Sequence, residues 1–206
     1  MHQVRIVLIV ALISVGFASV VFSPHVGSAQ DQGHGFADLY FGGTHLFKSD
    51  VPTWEFNDTE PVVGGRVGFW LGQHWGLTFR AWCFQTDAKE EGSLSGSDLS
   101  FVGMALELLA RWPLSDRWAL YGSLGPAFAV TTLDRQIDPV RGKEDARSVA
   151  VGASTSVGVE YGIVKELRGF AEVQSSLMYP SFEFSDRTIS PRLLNVYGLV
   201  GIRFAF

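Results

Sequence analysis

The chain has 206 residues, of which 47% are hydrophobic, 13% aromatic and 18% charged, and its net charge is -5. This length fits one domain once a leader is removed, and an acidic chain without a basic stripe argues against nucleic-acid binding. Cys83 is the only cysteine, which excludes an intramolecular disulfide and a cysteine-based metal site.

The first 29 residues are typical of a secretory signal peptide. Residues 1–5 are basic, residues 6–22 are almost wholly apolar, and Gly27 and Ala29 supply the small side chains of a cleavage site. The apolar run is at the short end for a membrane anchor. We therefore expect cleavage after Ala29, a short tail over residues 30–35 and a mature domain over residues 36–206.

The mature chain alternates apolar residues with small or polar ones in eight segments, which predicts eight β-strands. In the third segment strict alternation would direct Trp82 and Phe84 to the polar side, so we expect a β-bulge near Ala81. Pro126 is awkward within the fifth segment because proline removes a ladder hydrogen bond. The segments cover residues 36–47, 62–71, 75–86, 99–112, 118–131, 148–161, 167–179 and 192–206.

The connections between the segments alternate in length. Four long polar stretches show no strand-like or helix-like periodicity of apolar residues and are predicted to be loops. They cover residues 48–60, 87–98, 134–145 and 181–191. The three connections between them are tight turns. Long external loops and short periplasmic turns are the pattern of outer-membrane barrels, and an even strand number brings both termini to the periplasmic side.

The composition of the polar face decides what lies inside the barrel. A soluble barrel of lipocalin type would have its apolar face inside. The polar parity of residues 148–160 consists of serine, alanine and glycine with one carboxylate, Glu160. Small residues suit the interior of an eight-stranded barrel, which is only just wide enough for its side chains. We therefore expect the apolar face to meet lipid.

The charged residues support this orientation. Lys48, Lys89, Lys143 and Lys165 fall in loops or turns, whereas the strands carry arginines and carboxylates at polar-parity positions. The planar fork of arginine suits buried pairing with carboxylates. We expect Arg203 to pair with Glu160, Glu172 or Asp38. The predicted lumenal ion network consists of Asp38, Arg66, Arg80, Glu107, Arg111, Glu160, Arg168, Glu172 and Arg203.

Outward-facing aromatic residues gather near the short-turn end of the predicted strands. Such a position is typical of the aromatic girdle at a membrane interface. The predicted girdle consists of Trp75, Trp112, Trp118, Tyr161, Phe204 and Phe206.

The chain resembles the eight-stranded outer-membrane β-barrel families, in particular the OmpA-like transmembrane domain and its small single-barrel relatives. The resemblance covers residues 36–206 and is most specific where Gly201, Phe204 and Phe206 match the C-terminal pattern presented to the barrel assembly machinery. It implies an all-β, antiparallel, up-and-down transmembrane barrel, monomeric, in contact with lipid and lipopolysaccharide of a Gram-negative-type outer membrane. No segment follows the barrel, so we do not expect the periplasmic peptidoglycan-binding domain of full OmpA proteins.

An enzyme that acts on lipid A is the sharpest alternative. A deacylase of this kind uses a histidine and a serine two residues apart on a strand. His34, His45 and His74 have no serine at that distance, and a palmitoyltransferase would need a hydrocarbon-lined lumen. We expect no catalytic residue and no cofactor. The acidic loops lack a calcium-loop spacing, so no metal site is predicted, and only a weak divalent bridge to lipopolysaccharide stays open.

Two functional classes remain. In the first, the protein is a structural or interaction barrel with a lumen closed by ion pairs and with loops exposed outside. In the second, it is a narrow pore for water and small ions. Bulky arginines in an eight-stranded lumen favour closure. The loops carry no motif that names an external ligand.

Overall fold

The strands of the chain close into an antiparallel barrel. The computed structural model describes residues 35–47, 60–87, 97–138, 142–185 and 188–206. The wall strands are β1 (Gly35–Phe47), β2 (Glu60–Trp70), β3 (Trp75–Asp87), β4 (Asp98–Pro113), β5 (Trp118–Asp138), β6 (Gly142–Gly162), β7 (Leu167–Tyr179) and β10 (Leu193–Ala205). They pair in the closed order β1-β10-β7-β6-β5-β4-β3-β2. The predicted eight-stranded barrel is confirmed.

A short hairpin lies between β7 and β10 in the chain, and its Phe182 is buried in the core of the barrel. Its strands β8 (Phe182–Glu183) and β9 (Thr188–Ile189) pair with each other in the stretch predicted to be the fourth loop. The predicted signal peptide, the residues of the tail before Gly35, and the loop residues 48–59 and 88–96 lie outside the described residues. No helix in the described ranges is long and apolar enough to cross a membrane.

The barrel has two distinct ends. Three tight connections, over residues 71–74, 114–117 and 163–166, lie at one end, which we call the turn end. The chain also closes there, because the amide of Gly35 donates to the carbonyl of Phe206 at 3.0 Å and the amide of Phe206 donates back at 2.9 Å. The opposite end, where β4 begins and β5 ends, is called the loop end.

The two faces of the wall differ as the alternation predicts. Large apolar side chains cover the outside, where Leu39, Phe41, Leu124, Val149 and Val157 are each more than half exposed. The inward positions of the same strands are buried. Aromatic residues that are about half exposed ring the turn end, and Tyr161 packs against Trp118 with a centroid distance of 4.8 Å. The exposed members of this ring are Trp75, Trp112, Trp118, Phe204 and Phe206.

The expectation of a bulge near Ala81 was wrong. β3 pairs with β2 and with β4 in an uninterrupted register across this position, so Trp82 and Phe84 point into the lumen and are buried. The register neighbours of Trp82 are Gly64 on β2 and Gly103 on β4. Because Gly103 has no side chain, the indole ring of Trp82 fits in the lumen without a break in the strand, whereas the space beside Gly64 is taken by the ring of Tyr40.

The expectation of a long loop over residues 134–145 was also wrong. β5 and β6 stay paired beyond the apolar wall as far as Asp138 opposite Gly142, with one register shift after Gln136. Lys143 therefore lies in a strand and not in a loop. Backbone hydrogen bonds hold a hairpin ladder whatever its side chains, so the loss of apolar alternation did not mark the end of these strands.

The proline in β5 leaves the strand continuous. Pro126 points outward and is exposed, and β5 runs through it without interruption. The ladder with β4 omits the pairs that Gly125 and Pro126 would make with Glu107 and Leu106. The missing amide of proline is therefore accommodated by a local gap and not by the end of the strand.

The wall is unpaired between β2 and β3 at the loop end. Their ladder ends at Val63 opposite Cys83, whereas β2 pairs with β1 up to Glu60 and β3 pairs with β4 up to Asp87. Pro61, which has no amide hydrogen to donate, lies in the part of β2 that is not paired with β3. We call this gap, bordered by residues 60–62 and 84–87, the β2–β3 seam.

Candidate functional site

The interior of the barrel is a candidate site because charged side chains from seven strands meet there. Asp38 on β1 has Arg66 as its register partner on β2 and Arg203 as its partner on β10. The carboxylate of Asp38 accepts hydrogen bonds from Arg66 Nε at 2.6 Å and from Arg203 Nε and Nη2 at 2.8 and 2.9 Å. The alternation of neighbouring strands thus brings one arginine to each side of this carboxylate.

Contacts across the lumen continue the network. Glu172 on β7 accepts from Nη1 of Arg66 at 3.0 Å and also from Nη1 of Arg80 on β3. Arg80 donates through Nε to Glu107 at 3.1 Å and through Nη1 to Gln174 at 2.7 Å. Positive and negative groups therefore alternate along the network, so each buried charge has an opposite charge beside it.

Glu107 is held by serine residues as well as by arginine. Its carboxylate accepts from Ser123 Oγ at 2.9 Å and from Ser154 Oγ at 2.7 Å. Ser123 also shares a hydrogen bond of 2.8 Å with Ser156. The small polar residues of β5 and β6 therefore leave room for the charged side chains and supply additional donors to them.

The turn end of the network is less enclosed. Glu160 accepts from Arg203 Nη1 at 2.7 Å, from Arg168 Nη1 at 3.0 Å and from Arg111 Nε. The side chains of Arg111 and Arg168 are 18% and 26% exposed, whereas that of Glu160 is 1% exposed. A cavity of about 480 Å³ reaches in from this end and meets all four of these residues. Water therefore has access to the turn end of the network.

The structure brings all nine predicted residues of the ion network into the lumen. Arg203 contacts Asp38 and Glu160, two of its three expected partners, while Glu172 binds Arg66 and Arg80 instead. Aromatic rings cover the guanidinium groups, and that of Arg203 lies 4.3 Å from the ring centroid of Phe36. Such contacts stabilise a desolvated cation through the ring quadrupole.

A second layer of the lumen is aromatic. Trp82, Phe84, Phe101 and Tyr197 are buried toward the loop end, and the centroids of Phe84 and Phe101 lie 4.8 Å apart. Nε1 of Trp82 donates to the hydroxyl of Tyr197 at 3.1 Å. The sequence interpretation missed this aromatic layer because it assigned Trp82 and Phe84 to the outside. Phe101 and Tyr197, which have strict inward parity, were the signal that could have revealed it.

Replacing Gly103 by valine is expected to destabilise the barrel by about 1–3 kcal/mol through overpacking. A Cβ at this position would meet the indole ring of Trp82 and the ring of Phe101. The measurement is the urea midpoint followed by tryptophan fluorescence, with the lipid-facing replacement Met104→Val as the matched control. Combining Gly103→Val with Trp82→Ala should recover part of the loss, and strictly additive losses would contradict the proposed clash.

Of the histidines considered for a catalytic role, His74 is the one whose side chain the structure describes, and it lies outside this lumenal cluster. His74 is exposed in a turn, where its Nδ1 lies 3.1 Å from the carbonyl oxygen of Arg111. His34 lies outside the described residues, and only the backbone of His45 is described, paired with Val196. No group of three or more histidine, cysteine, aspartate or glutamate side chains suited to a metal ion occurs among the described residues.

A closed sheet with an exposed apolar belt, an aromatic ring at the turn end and buried charges inside defines a membrane-spanning β-barrel. The chain belongs to the outer membrane protein β-barrel domain family, whose model matches residues 8–177. It is therefore an outer-membrane barrel protein. A comparison with curated protein sequences found no match.

Solved structures of outer-membrane barrels share this fold. Neisserial surface protein A is 10% identical with a TM-score of 0.61 and covers 86% of this chain and 100% of its own. OprG from Pseudomonas aeruginosa is 16% identical with a TM-score of 0.60, and the match covers 85% of this chain and 97% of OprG. Ail, the attachment invasion locus protein of Yersinia pestis, is 13% identical with a TM-score of 0.52, and the match covers 84% of this chain and 100% of Ail. At these identities the likeness extends to the fold alone.

Proposed function

We propose that this protein is a closed outer-membrane barrel with a structural or interaction role, exercised through the segments at its loop end. The observation that carries the proposal is the filling of the lumen in two layers. The ion network extends from the turn end to the middle of the barrel, and the aromatic layer lies between it and the loop end. An ion crossing the barrel would have to displace both layers.

The geometry of the ion network supports closure. The side chains of Asp38, Arg66, Arg80, Glu107 and Glu172 have no exposed surface. Removing one charge from such a group leaves its partner buried and unpaired, which costs several kcal/mol. Opening a continuous water path would separate several of these pairs at once, so the closed arrangement is the stable one.

The proposed barrel has a fixed orientation in the outer membrane and lipid around its wall. The loop end faces outward, and the turn end, with both Gly35 and Phe206, faces the periplasm, as is usual for barrels with short periplasmic turns. Lipid and lipopolysaccharide surround the wall of a monomer. The paired extension of β5 and β6 beyond the apolar wall offers a hydrogen-bonded support for an external partner whose identity is open, and no catalytic step is included.

Planar-bilayer recording tests the proposal. The purified barrel is expected to give no stable single-channel steps at moderate voltage, because both layers block the lumen. The combined variant Trp82→Ala, Arg80→Ala and Glu107→Ala, which truncates both layers, is expected to conduct. Heat-modifiable gel mobility verifies that each protein is folded. Stable steps from the folded wild type would overturn the closed barrel in favour of a narrow pore for water and small ions.

A further inference from the structure

The cavity at the turn end, which we call the turn-end cavity, has strongly charged walls. Its volume is about 480 Å³, and the guanidinium groups of Arg111, Arg168 and Arg203 line it together with the carboxylate of Glu160. Trp70 supplies an aromatic wall, and its ring centroid lies 5.9 Å from the guanidinium carbon of Arg111. A pocket of this size is large enough for a small polar molecule.

Positive charge exceeds negative charge in the turn-end cavity. The enclosed part of the ion network is balanced, because it contains three arginines and three carboxylates that pair with one another. These residues are Arg66, Arg80, Arg203, Asp38, Glu107 and Glu172. Only Glu160 remains for both Arg111 and Arg168. The cavity therefore has one cation more than the network compensates.

The single carboxylate of the network in this cavity is shared by three guanidinium groups. Nε of Arg111 and Nη1 of Arg168 donate to the same oxygen of Glu160, Oε1, and Nη1 of Arg203 donates to Oε2. Arg168 and Arg203 are also direct register partners on β7 and β10, and like charges directly opposite each other are unfavourable. A further anion in the cavity would reduce this repulsion.

The two partly exposed arginines have donors to offer to such an anion. Arg111 and Arg168 each contact the carboxylate through one nitrogen, whereas a guanidinium group has five N–H donors in a planar fork. Their side chains are 18% and 26% exposed. The rim charges of Lys165, Glu166 and the carboxyl end of Phe206 belong to exposed residues. Water and salt screen such charges, so the rim does not cancel the excess inside.

We propose that the turn-end cavity binds a small molecule with a phosphate group, held between Arg111 and Arg168. Guanidinium groups bind phosphate oxygens through short, charge-assisted hydrogen bonds. The tetrahedral phosphate presents oxygens in several directions, which suits two guanidinium groups that come from different walls, β4 and β7. A cationic ligand would face three arginines, so the same charges discriminate against amines and metal ions.

Isothermal titration calorimetry with inorganic phosphate tests the proposal on the full-length protein in a maltoside detergent, which contains no phosphate. Saturable heat is expected from phosphate, and acetate at the same ionic strength should bind more weakly. Arg168→Gln should raise the Kd for phosphate about tenfold, as expected for the loss of one charge-assisted hydrogen bond. Arg117→Gln is the matched control, because Arg117 is an exposed arginine of the turn end that does not line the cavity. It should bind phosphate as the wild type does.

Glu160→Gln distinguishes an anion site from a cluster that serves only to hold the barrel together. It removes the carboxylate that competes for Arg111 and Arg168, so the Kd for phosphate should fall, whereas damage to the cavity would raise it. Heat-modifiable gel mobility verifies that each protein is folded. Absence of saturable heat from the folded wild type, equal binding of acetate, unchanged affinity in Arg168→Gln, or weaker binding by folded Glu160→Gln would each overturn the proposal.

Discussion

Replacing Glu107 by alanine is expected to lower the free energy of unfolding by about 3–5 kcal/mol, because it removes one of the two carboxylates that compensate the buried Arg80. Glu107 accepts from Arg80, Ser123 and Ser154, and the side chains of Glu107 and Arg80 have no exposed surface. Arg80 keeps Glu172 as a partner. Two serine hydroxyls lose an acceptor at the same time, and the void left by the carboxylate adds to the cost.

Glu160→Ala is the comparison that distinguishes a buried pair from an accessible one. Arg203 keeps Asp38, and the partly exposed Arg111 and Arg168 can turn to the water of the turn-end cavity. We therefore expect a smaller loss than for Glu107→Ala. Urea unfolding in detergent and the temperature of the heat-modifiable gel shift measure both losses. Wild-type unfolding in both variants would refute a stabilising role for the network.

Deleting Phe206 is expected to reduce the amount of barrel inserted in the outer membrane far more than it reduces the stability of the folded barrel. The terminal aromatic, with Gly201 and Phe204, is predicted to be presented to the assembly machinery. In the folded barrel the ring of Phe206 is about half exposed, and its backbone closes the turn end against Gly35. Loss of two hydrogen bonds costs roughly 1–3 kcal/mol.

Phe206→Ala separates the side chain from the backbone contacts, because it keeps the hydrogen bonds to Gly35 and removes only the ring. Outer-membrane yield is measured by fractionation, and stability is measured by urea unfolding of protein refolded in detergent. Both variants should lose most of their membrane yield, and Phe206→Ala should unfold close to the wild type. Equal membrane yields of wild type and both variants would refute the role of Phe206 in assembly.

The wall of the barrel was predictable because lipid and lumen demand different side chains. Residues 148–160 show the clearest alternation of the chain, and the structure keeps that parity along β6. The pairing of Asp38 with Arg203 was also predictable, since both residues point inward on the two strands that close the barrel. Strand identity and parity are local properties, and the sequence pattern therefore reports them well.

The rest required information that the local pattern lacks. Glu172 reaches Arg80 across the lumen from β7 to β3, a contact set by barrel geometry and not by neighbouring strands. Trp82 was misassigned because the space left by Gly103 on the adjacent strand β4 was not considered. The extension of β5 and β6 was missed because a ladder outside the membrane has no lipid-facing side and needs no apolar alternation.

The pairing of Arg66 with Arg80 has a consequence for the order of assembly. These arginines are direct register partners on adjacent strands, and like charges directly opposite each other destabilise a hairpin. Their carboxylate partners Asp38 and Glu172 arrive from other strands, and the contact between Asp38 and Arg203 joins residues 165 positions apart. A hairpin of β2 and β3 alone would carry two uncompensated cations into lipid. The sheet β1–β4 is the smallest in which both cations have a carboxylate, since β1 supplies Asp38 to Arg66 and β4 supplies Glu107 to Arg80. Closure of the first strand onto the last then brings Arg203 to Asp38.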